Sequence, residues 1–216
     1  MSGTLELTPE RARIFRITHV DNVPWILANG LHCGSSDICD PGFVQIGNPE
    51  LITKRTTRAI PIPPGGTLHD YVPFYFTPFS PMLYNIKTGW NGITRRPMRE
   101  VVILVSTLHA LTENGVDYVF TDRHAYLAAA QFFSSPSELP ERIDWNILQR
   151  RDFARDPNDP GKFERYQAEA LAHRRVPLTA LTGVVCHGPV ECEHLLGLVR
   201  DNGASLSVVS RPGWFF

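Results

Sequence analysis

The stretch LHDYVPFYFTPFSPMLYNIK, residues 68 to 87, constrains the fold more than any other segment. Val72, Phe74 and Phe76 alternate with Tyr71, Pro73 and Tyr75, the two-residue period of a strand, and this period sets aromatic rings on both faces. Ser80 followed by Pro81 reads as a helix start, a capping hydroxyl and then a residue whose fixed φ and missing N–H suit the first turn. The junction of that strand and that helix is a candidate floor for a ligand, a flat ring or a sugar. A core strand ending in an ordinary turn is the simpler alternative.

Elsewhere the chain mixes the two periods. Phe15 and Ile17 alternate with Arg16 and Thr18 as a first strand; Val23 to Asn29 then carries apolar residues at helical spacing, with Asn22 as a candidate cap and Gly30 as its C′ residue. Residues 50 to 59 predict a short helix bearing Arg55. Val101 to Val105 is an apolar run bounded by charge and Ser-Thr, a buried strand. Helical pieces are expected near 123 to 133 and 144 to 153, and late strands at Val184 to Cys186 and Leu206 to Val209 flank a helix from Pro189 to Arg200. Strands and helices without strict alternation point to α+β rather than a doubly wound sheet. No G-x-G-x-x-G follows a strand, so a Rossmann mode of nucleotide binding is unsupported.

At 216 residues the chain suits one domain with its own core. No apolar run reaches membrane-spanning length and the opening MSGTLELTPERARIF lacks the apolar stretch of a signal peptide, so a cytoplasmic protein with reduced thiols is expected. Cys186, His187, Cys192 and His194 in CHGPVECEH offer soft ligands, but not at the paired spacing of zinc sites, and no metal is expected. The net charge of −1 hides an uneven distribution. Residues 51 to 99 hold Lys54, Arg55, Arg58, Lys87, Arg95, Arg96 and Arg99 against Asp70 alone. Interleaved with Tyr71, Tyr75, Phe79, Tyr84 and Trp90, these cations match a single-strand groove, since cations track phosphates and rings stack on bases. A solvated, salt-bridged face is the alternative.

The segment Phe163 to Arg175 is contested. Ala, Glu, Gln, Leu and Arg favour a helix, whereas period two places Ala168, Ala170 and Ala172 on one face of a strand and Glu169, Leu171 and His173 on the other.

Taken together, ITHVDNVPWILANGL, Lys54-Arg55, PPGGTLHDYVPFYF, SPMLY, FTDRHA and AEAL followed by Val176-Pro177 give the chain a resemblance to the DarT family. These are toxins similar to ADP-ribosyltransferases that use NAD to modify bases of single-stranded DNA. The resemblance runs nearly end to end and implies an ADP-ribosyltransferase-like split mixed sheet with surrounding helices over residues 1 to 216. It implies NAD as co-substrate, thymine as the modified base, and a strand that carries Glu169 as the catalytic carboxylate after a substrate-reading loop. It names Arg55 as the catalytic arginine, and sets His19 and Asn22 in the NAD pocket with Gly30, Tyr75 and Met82 nearby. The implied partner is a macrodomain antitoxin similar to DarG, and the protein is read as a monomer. Phe79 is a departure, since related sequences usually have Arg before Ser-Pro-Met.

The chemistry of the residue types agrees with those roles. As neutral nicotinamide leaves NAD, positive charge develops on the ribose, and a carboxylate beside it stabilises that charge. The same carboxylate can take the proton of the attacking base nitrogen. Arg55 can fork to the diphosphate or to a base carbonyl, with Lys54 and Arg58 as rivals. His19 and Asn22 stand where a strand gives way to a helix N-terminus. His124 is a candidate contact for an unpaired base, and Arg95 and Arg96 for phosphates. Two other classes stay open: a non-catalytic single-strand-binding module, and an NAD-dependent transferase acting on RNA or protein. Nicotinamide release that depends on added DNA separates them.

Overall fold

The computed structural model describes residues 5–216, and in it the alternation at Phe15 becomes β1 (Arg13–His19) and the aromatic run becomes β3 (Tyr71–Tyr75). The other strands are β2 (Leu31–His32), β4 (Val101–Thr107), β5 (Tyr118–Thr121), β6 (Phe132–Phe133), β7 (Glu169–His173), β8 (Arg175–Val176), β9 (Gly183–Cys186) and β10 (Val208–Ser210). Eight of them form a sheet in the order β10, β9, β4, β1, β3, β7, β5, β6, while β2 and β8 pair separately. Its ladders are antiparallel except for the parallel β9–β10 pair. A mixed α+β sheet results, as expected.

The sheet is not evenly knitted. β1 pairs with β4 over seven residues, from Arg13↔Thr107 to His19↔Val101, and β3 pairs with β7 over five, from Tyr71↔His173 to Tyr75↔Glu169. Between β1 and β3 only Phe15↔Tyr75 is in register. There the sheet splits into two halves. The central strand β4 buries Ile103 and Leu104 completely, which is why its sequence is a continuous apolar run rather than an alternating one. Phe74 and Phe76 are also fully buried, each contributing about 1.5–3 kcal/mol by leaving water.

Among the described residues eight α-helices surround the sheet. They are α1 (Val23–Asn29), α2 (Pro49–Arg55), α3 (Pro81–Thr88), α4 (Leu108–Glu113), α5 (Leu139–Arg142), α6 (Trp145–Arg150), α7 (Lys162–Arg165) and α8 (Pro189–Asp201). Ser80 caps α3 as expected, its Oγ accepting the Leu83 N–H at 3.2 Å, with Pro81 at the first turn. Asn48 and Pro49 start α2 by the same device, the Asn48 Oδ1 accepting the Leu51 N–H at 3.2 Å. That cap leaves Arg55 in the last turn of α2, where a cation suits the helix dipole.

Three local expectations change. Residues 123–131 are turns rather than a helix, because tertiary bonds claim their backbone. The His124 N–H donates to the Glu164 carbonyl (3.1 Å), Arg58 Nη2 donates to the Leu127 carbonyl (3.0 Å), and the Gln131 N–H donates to Asp122 Oδ1 (3.0 Å). The last strand lies two residues later than the run Leu206 to Val209 indicates, since it is set by pairing Val208↔Val184 along β9. Asn22 makes no side-chain cap on α1. In the contested segment the strand that the resemblance implies is present, β7 beginning at Glu169, while helix is confined to α7, which ends at Arg165.

Candidate active site

The split between β1 and β3 opens a cavity of about 460 Å³. Its floor comes from Arg16, Ile17 and Thr18 of β1 and from Pro73 and Tyr75 of β3, and its outer wall from the connection between β2 and α2, including Ile38, Phe43 and Ile46. Trp25, His32 and His69 add polar and aromatic edges, and Arg55, His124 and Glu169 close one end. Dinucleotide-sized ligands need this kind of concave, mostly apolar space with a few converging polar groups.

Glu169 opens β7, where its backbone N–H donates to Thr121 Oγ1 at 3.2 Å. Its side chain is 3% exposed and meets three groups. Arg55 Nη1 donates to Oε2 at 2.9 Å, the Ala125 N–H donates to Oε1 at 3.1 Å, and His124 Nδ1 lies 3.2 Å from Oε1. Burial by itself pushes this carboxyl upward, but the Arg55 charge, then His124 and the Ala125 N–H, outweigh it and hold Glu169 below the usual carboxylate value. It is therefore an anion at neutral pH. His124 is shifted down, chiefly by burial and against the pull of Glu169. Tyr75 sits directly across from Glu169 in register, and burial, reinforced by that carboxylate, raises its hydroxyl well above the ordinary tyrosine value.

The structure thus brings five of the sequence-named residues, Arg55, Glu169, Tyr75, Met82 and His124, to one cavity. Three others, His19, Asn22 and Gly30, are not among its lining residues. The His19 ring accepts the Asp21 N–H at Nδ1 (3.2 Å), and its Nε2 lies 3.6 Å from Glu100. Asn22 is fully buried and clamps the outer wall: Nδ2 donates to Thr18 Oγ1 (2.9 Å) and the Val44 carbonyl (3.0 Å), while Oδ1 accepts the Val44 N–H (2.8 Å). Gly30 has φ +81°, and an added Cβ would lie 2.5 Å from the Val176 carbonyl, so glycine is required for the close approach of α1 to β8.

Arg95 and Arg96 lie on the connection from α3 to β4, outside the cavity lining. Arg95 is exposed, and Arg96 reaches Glu100 at 3.7 Å. Of the five rings read as interleaved with the cations, only Tyr84 (41%) and Trp90 (69%) are exposed. Phe79 is buried, and the guanidinium of Arg151 lies 3.5 Å above its ring, so a cation still occupies the neighbourhood of that departure. Sequence reasoning missed Arg16 and the outer wall. In an alternating strand Arg16 reads as an ordinary polar-face residue, and only the split turns that face into a cavity.

The four cysteines are unpaired. Among the described residues no group of three or more His, Cys, Asp or Glu is placed to hold a metal ion, and no helix is long and apolar enough to cross a membrane.

Comparison with known proteins agrees with this geometry. A family model described as DarT, ssDNA thymidine ADP-ribosyltransferase, matches residues 15–216. The DNA ADP-ribosyl transferase of Escherichia coli O127:H6 is 52% identical over 210 residues, 97% of this chain and 96% of that one. Thermus sp. 2.9 DarT in complex with ADP-ribosylated ssDNA superposes with a TM-score of 0.87 at 32% identity, covering 96% of this chain and 98% of that one. The same protein in complex with NAD+ gives a TM-score of 0.84, covering 96% and 99%. A DNA ADP-ribosyl transferase-DNA ADP-ribosyl glycohydrolase fusion protein of Thermosipho africanus is 22% identical over 209 residues, 96% of this chain and 50% of the fusion.

Proposed function

This chain belongs to the DarT family, and from that premise we propose that it transfers ADP-ribose from NAD to thymine in single-stranded DNA. The observation that carries the reading is the buried Arg55–Glu169 pair closing one end of a cavity, in a chain that matches NAD-bound and ADP-ribosylated-DNA-bound relatives over nearly its whole length. The bond between the ribose C1′ and the nicotinamide nitrogen breaks, and nicotinamide leaves neutral with the bonding electrons. Glu169, an anion in its folded setting, stabilises the ribosyl cation. The thymine ring nitrogen then attacks C1′, and its proton passes to Glu169, the carboxylate that closes that end of the cavity beside Arg55. Arg55 meets the diphosphate, Tyr75 and Met82 bound the nicotinamide ribose, and His124, neutral in its buried setting, hydrogen-bonds the unpaired base. His19, Asn22 and Gly30 serve the pocket by holding its walls.

The acceptor strand runs from the cavity edge along α3. Exposed Tyr84, Trp90 and Arg95 support that course, rings stacking on bases and cations meeting phosphates. Eight of the strands between Arg13 and Ser210 share one sheet, which supports one catalytic domain; its acting as a monomer is part of the proposal. A macrodomain partner similar to DarG fits this activity, and the fused relative supports it; together they make a toxin and its antitoxin, working in the cytoplasm where DNA is found.

The test is incubation with NAD and single-stranded oligonucleotides of varied sequence, followed by intact mass of the DNA and assay of released nicotinamide. One added ADP-ribose on thymine-containing strands, surviving EDTA, is expected. Unmodified DNA from protein that binds NAD, or modification of RNA or protein in its place, overturns the reading.

A further inference from the structure

Arg16 is a cation with no anion of its own. It projects from β1 into the cavity at the split, where its Nη1 donates to the Pro73 carbonyl at 3.0 Å across the gap in the ladder. Its Nε is buried without a hydrogen-bond partner, and so is Nη2 of Arg55, which lines the same cavity. No carboxylate pairs with Arg16 among the described residues, whereas Arg55 has Glu169. Burial, with the Arg55 charge beside it, brings Arg16 down to about 10, so it remains protonated at neutral pH. Arg16 as a whole is half-buried, but a buried guanidinium nitrogen left without a partner on a cation that has no counter-ion is unfavourable. Such a group persists where something outside the chain completes it.

We propose that Arg16 is a binding residue for the diphosphate of the dinucleotide co-substrate, gripping it together with Arg55 across the split between β1 and β3. This inference rests on the NAD reading above. The chemistry is that of an anion held between two guanidinium forks, each bringing paired N–H donors to phosphate oxygens. Two orphaned buried nitrogens on neighbouring side chains supply donors for such an anion, and the diphosphate is the anionic part of NAD. Nε of Arg58 and of Arg96 are also buried without a partner, but neither residue lines the cavity; Arg16 and Arg55 both do, and two cations with free donors facing one cavity favour an anion there.

A competing role is structural. Because the β1–β3 ladder is missing at this point, the bond from Arg16 to Pro73 stands in for a backbone hydrogen bond. The two roles differ in what the free protein does. A strut stabilises the free protein, whereas an uncompensated cation destabilises it until ligand arrives.

Arg16→Gln keeps an N–H donor for the Pro73 carbonyl and removes the charge, and Arg16→Met fills the space with apolar atoms. Thermal unfolding of each variant, with calorimetric titration of NAD, ADP-ribose and a thymine-containing single strand, decides the matter. Free Arg16→Met should unfold at or above the wild-type temperature. Both variants should bind NAD and ADP-ribose roughly 10- to 100-fold more weakly, the effect of losing a charge-assisted contact, with unchanged affinity for the single strand. KM for NAD should rise more than kcat falls, since the diphosphate is remote from the bond that breaks. If Arg16→Met fails to fold, the structural role is correct and the proposal is overturned. Wild-type NAD affinity in Arg16→Gln, or a loss confined to DNA binding, also overturns it. A wild type that binds neither NAD nor ADP-ribose sinks the NAD reading itself, and this assignment with it.

Discussion

Arg55 and Glu169, 114 residues apart in the chain, meet at 2.9 Å in a setting where their side chains are 11% and 3% exposed. Each makes the other's burial tolerable. Because the pair is both the proposed chemical centre and a buried ion pair, substitutions there mix two effects that have to be measured separately.

Glu169→Gln should abolish transfer while keeping the fold. The amide oxygen can still accept from the Ala125 N–H, and the volume is unchanged, but the negative charge facing the ribosyl cation is gone. A loss of roughly 10²- to 10³-fold or more in kcat is expected, with NAD affinity nearly constant. Turnover near that of wild type in a nicotinamide-release assay would remove Glu169 from the mechanism. In cells the wild type should be toxic and this variant tolerated.

Arg55→Ala should cost stability as well as activity. It leaves Glu169 buried beside a mostly neutral histidine, an uncompensated carboxylate worth about 3–5 kcal/mol against the fold. Urea denaturation at pH 7 reads this directly, and the deficit should shrink in the Arg55→Ala, Glu169→Gln double variant. Additive losses in the double variant would mean the two side chains are not energetically coupled.

Acid should weaken the protein in two stages. His124 lies below its ordinary value of 6.5 and Glu169 below its ordinary value of 4.5. For both groups the unfolded chain binds protons at a higher pH than the folded one. Their contribution is therefore fully present above the unfolded value and is lost as pH falls towards the folded one. Stability should decline from about pH 6.5 and more steeply below about 4.5. His124→Gln should flatten the upper stage, leaving the part due to His173, which is also shifted down, first by burial and then by Arg174. An unaltered profile in that variant would show that His124 is not the group responsible.

Gly30→Ala should unfold more easily without a selective loss of NAD binding. The φ of +81° with ψ −168° is a region other residues avoid, costing about 1–3 kcal/mol, and the added methyl meets the Val176 carbonyl. A denaturation midpoint equal to wild type combined with weaker NAD binding would instead put Gly30 in contact with the co-substrate.

Trp90→Ala should leave stability nearly untouched, because the ring is 69% exposed, yet weaken single-strand binding by about 1–3 kcal/mol if one base stacks there. Neutralising Arg95 and Arg96 should lower the salt dependence of binding by about two units of slope, with basal NAD cleavage less affected than transfer. Single strands should be modified in strong preference to duplex, whose bases must first be unpaired at a cost of roughly a few kcal/mol each. Equal modification of duplex and single strand would relocate the acceptor groove.

The local sequence alone determined those elements whose signals lie within a few residues. Ser80-Pro81 set the start of α3, the alternation around Phe15 set β1, and the apolar run at Val101 set β4, because caps and periodicity act over one or two turns of chain. Glu169 and Arg55 were legible through short motifs, but the distance between them was not. Only the tertiary structure decided that the ladder between β1 and β3 closes at a single residue pair, and with it that Arg16 lines a cavity that His19, Asn22 and Gly30 do not line. The turns at 123–131 follow the same logic: their backbone bonds to Glu164, Arg58 and Asp122 come from distant segments and the loop's own far end, and outweigh local helical preference. Strand register and the place where a sheet splits are set by the sum of many distant packing contacts, and no window of neighbouring residues contains that sum.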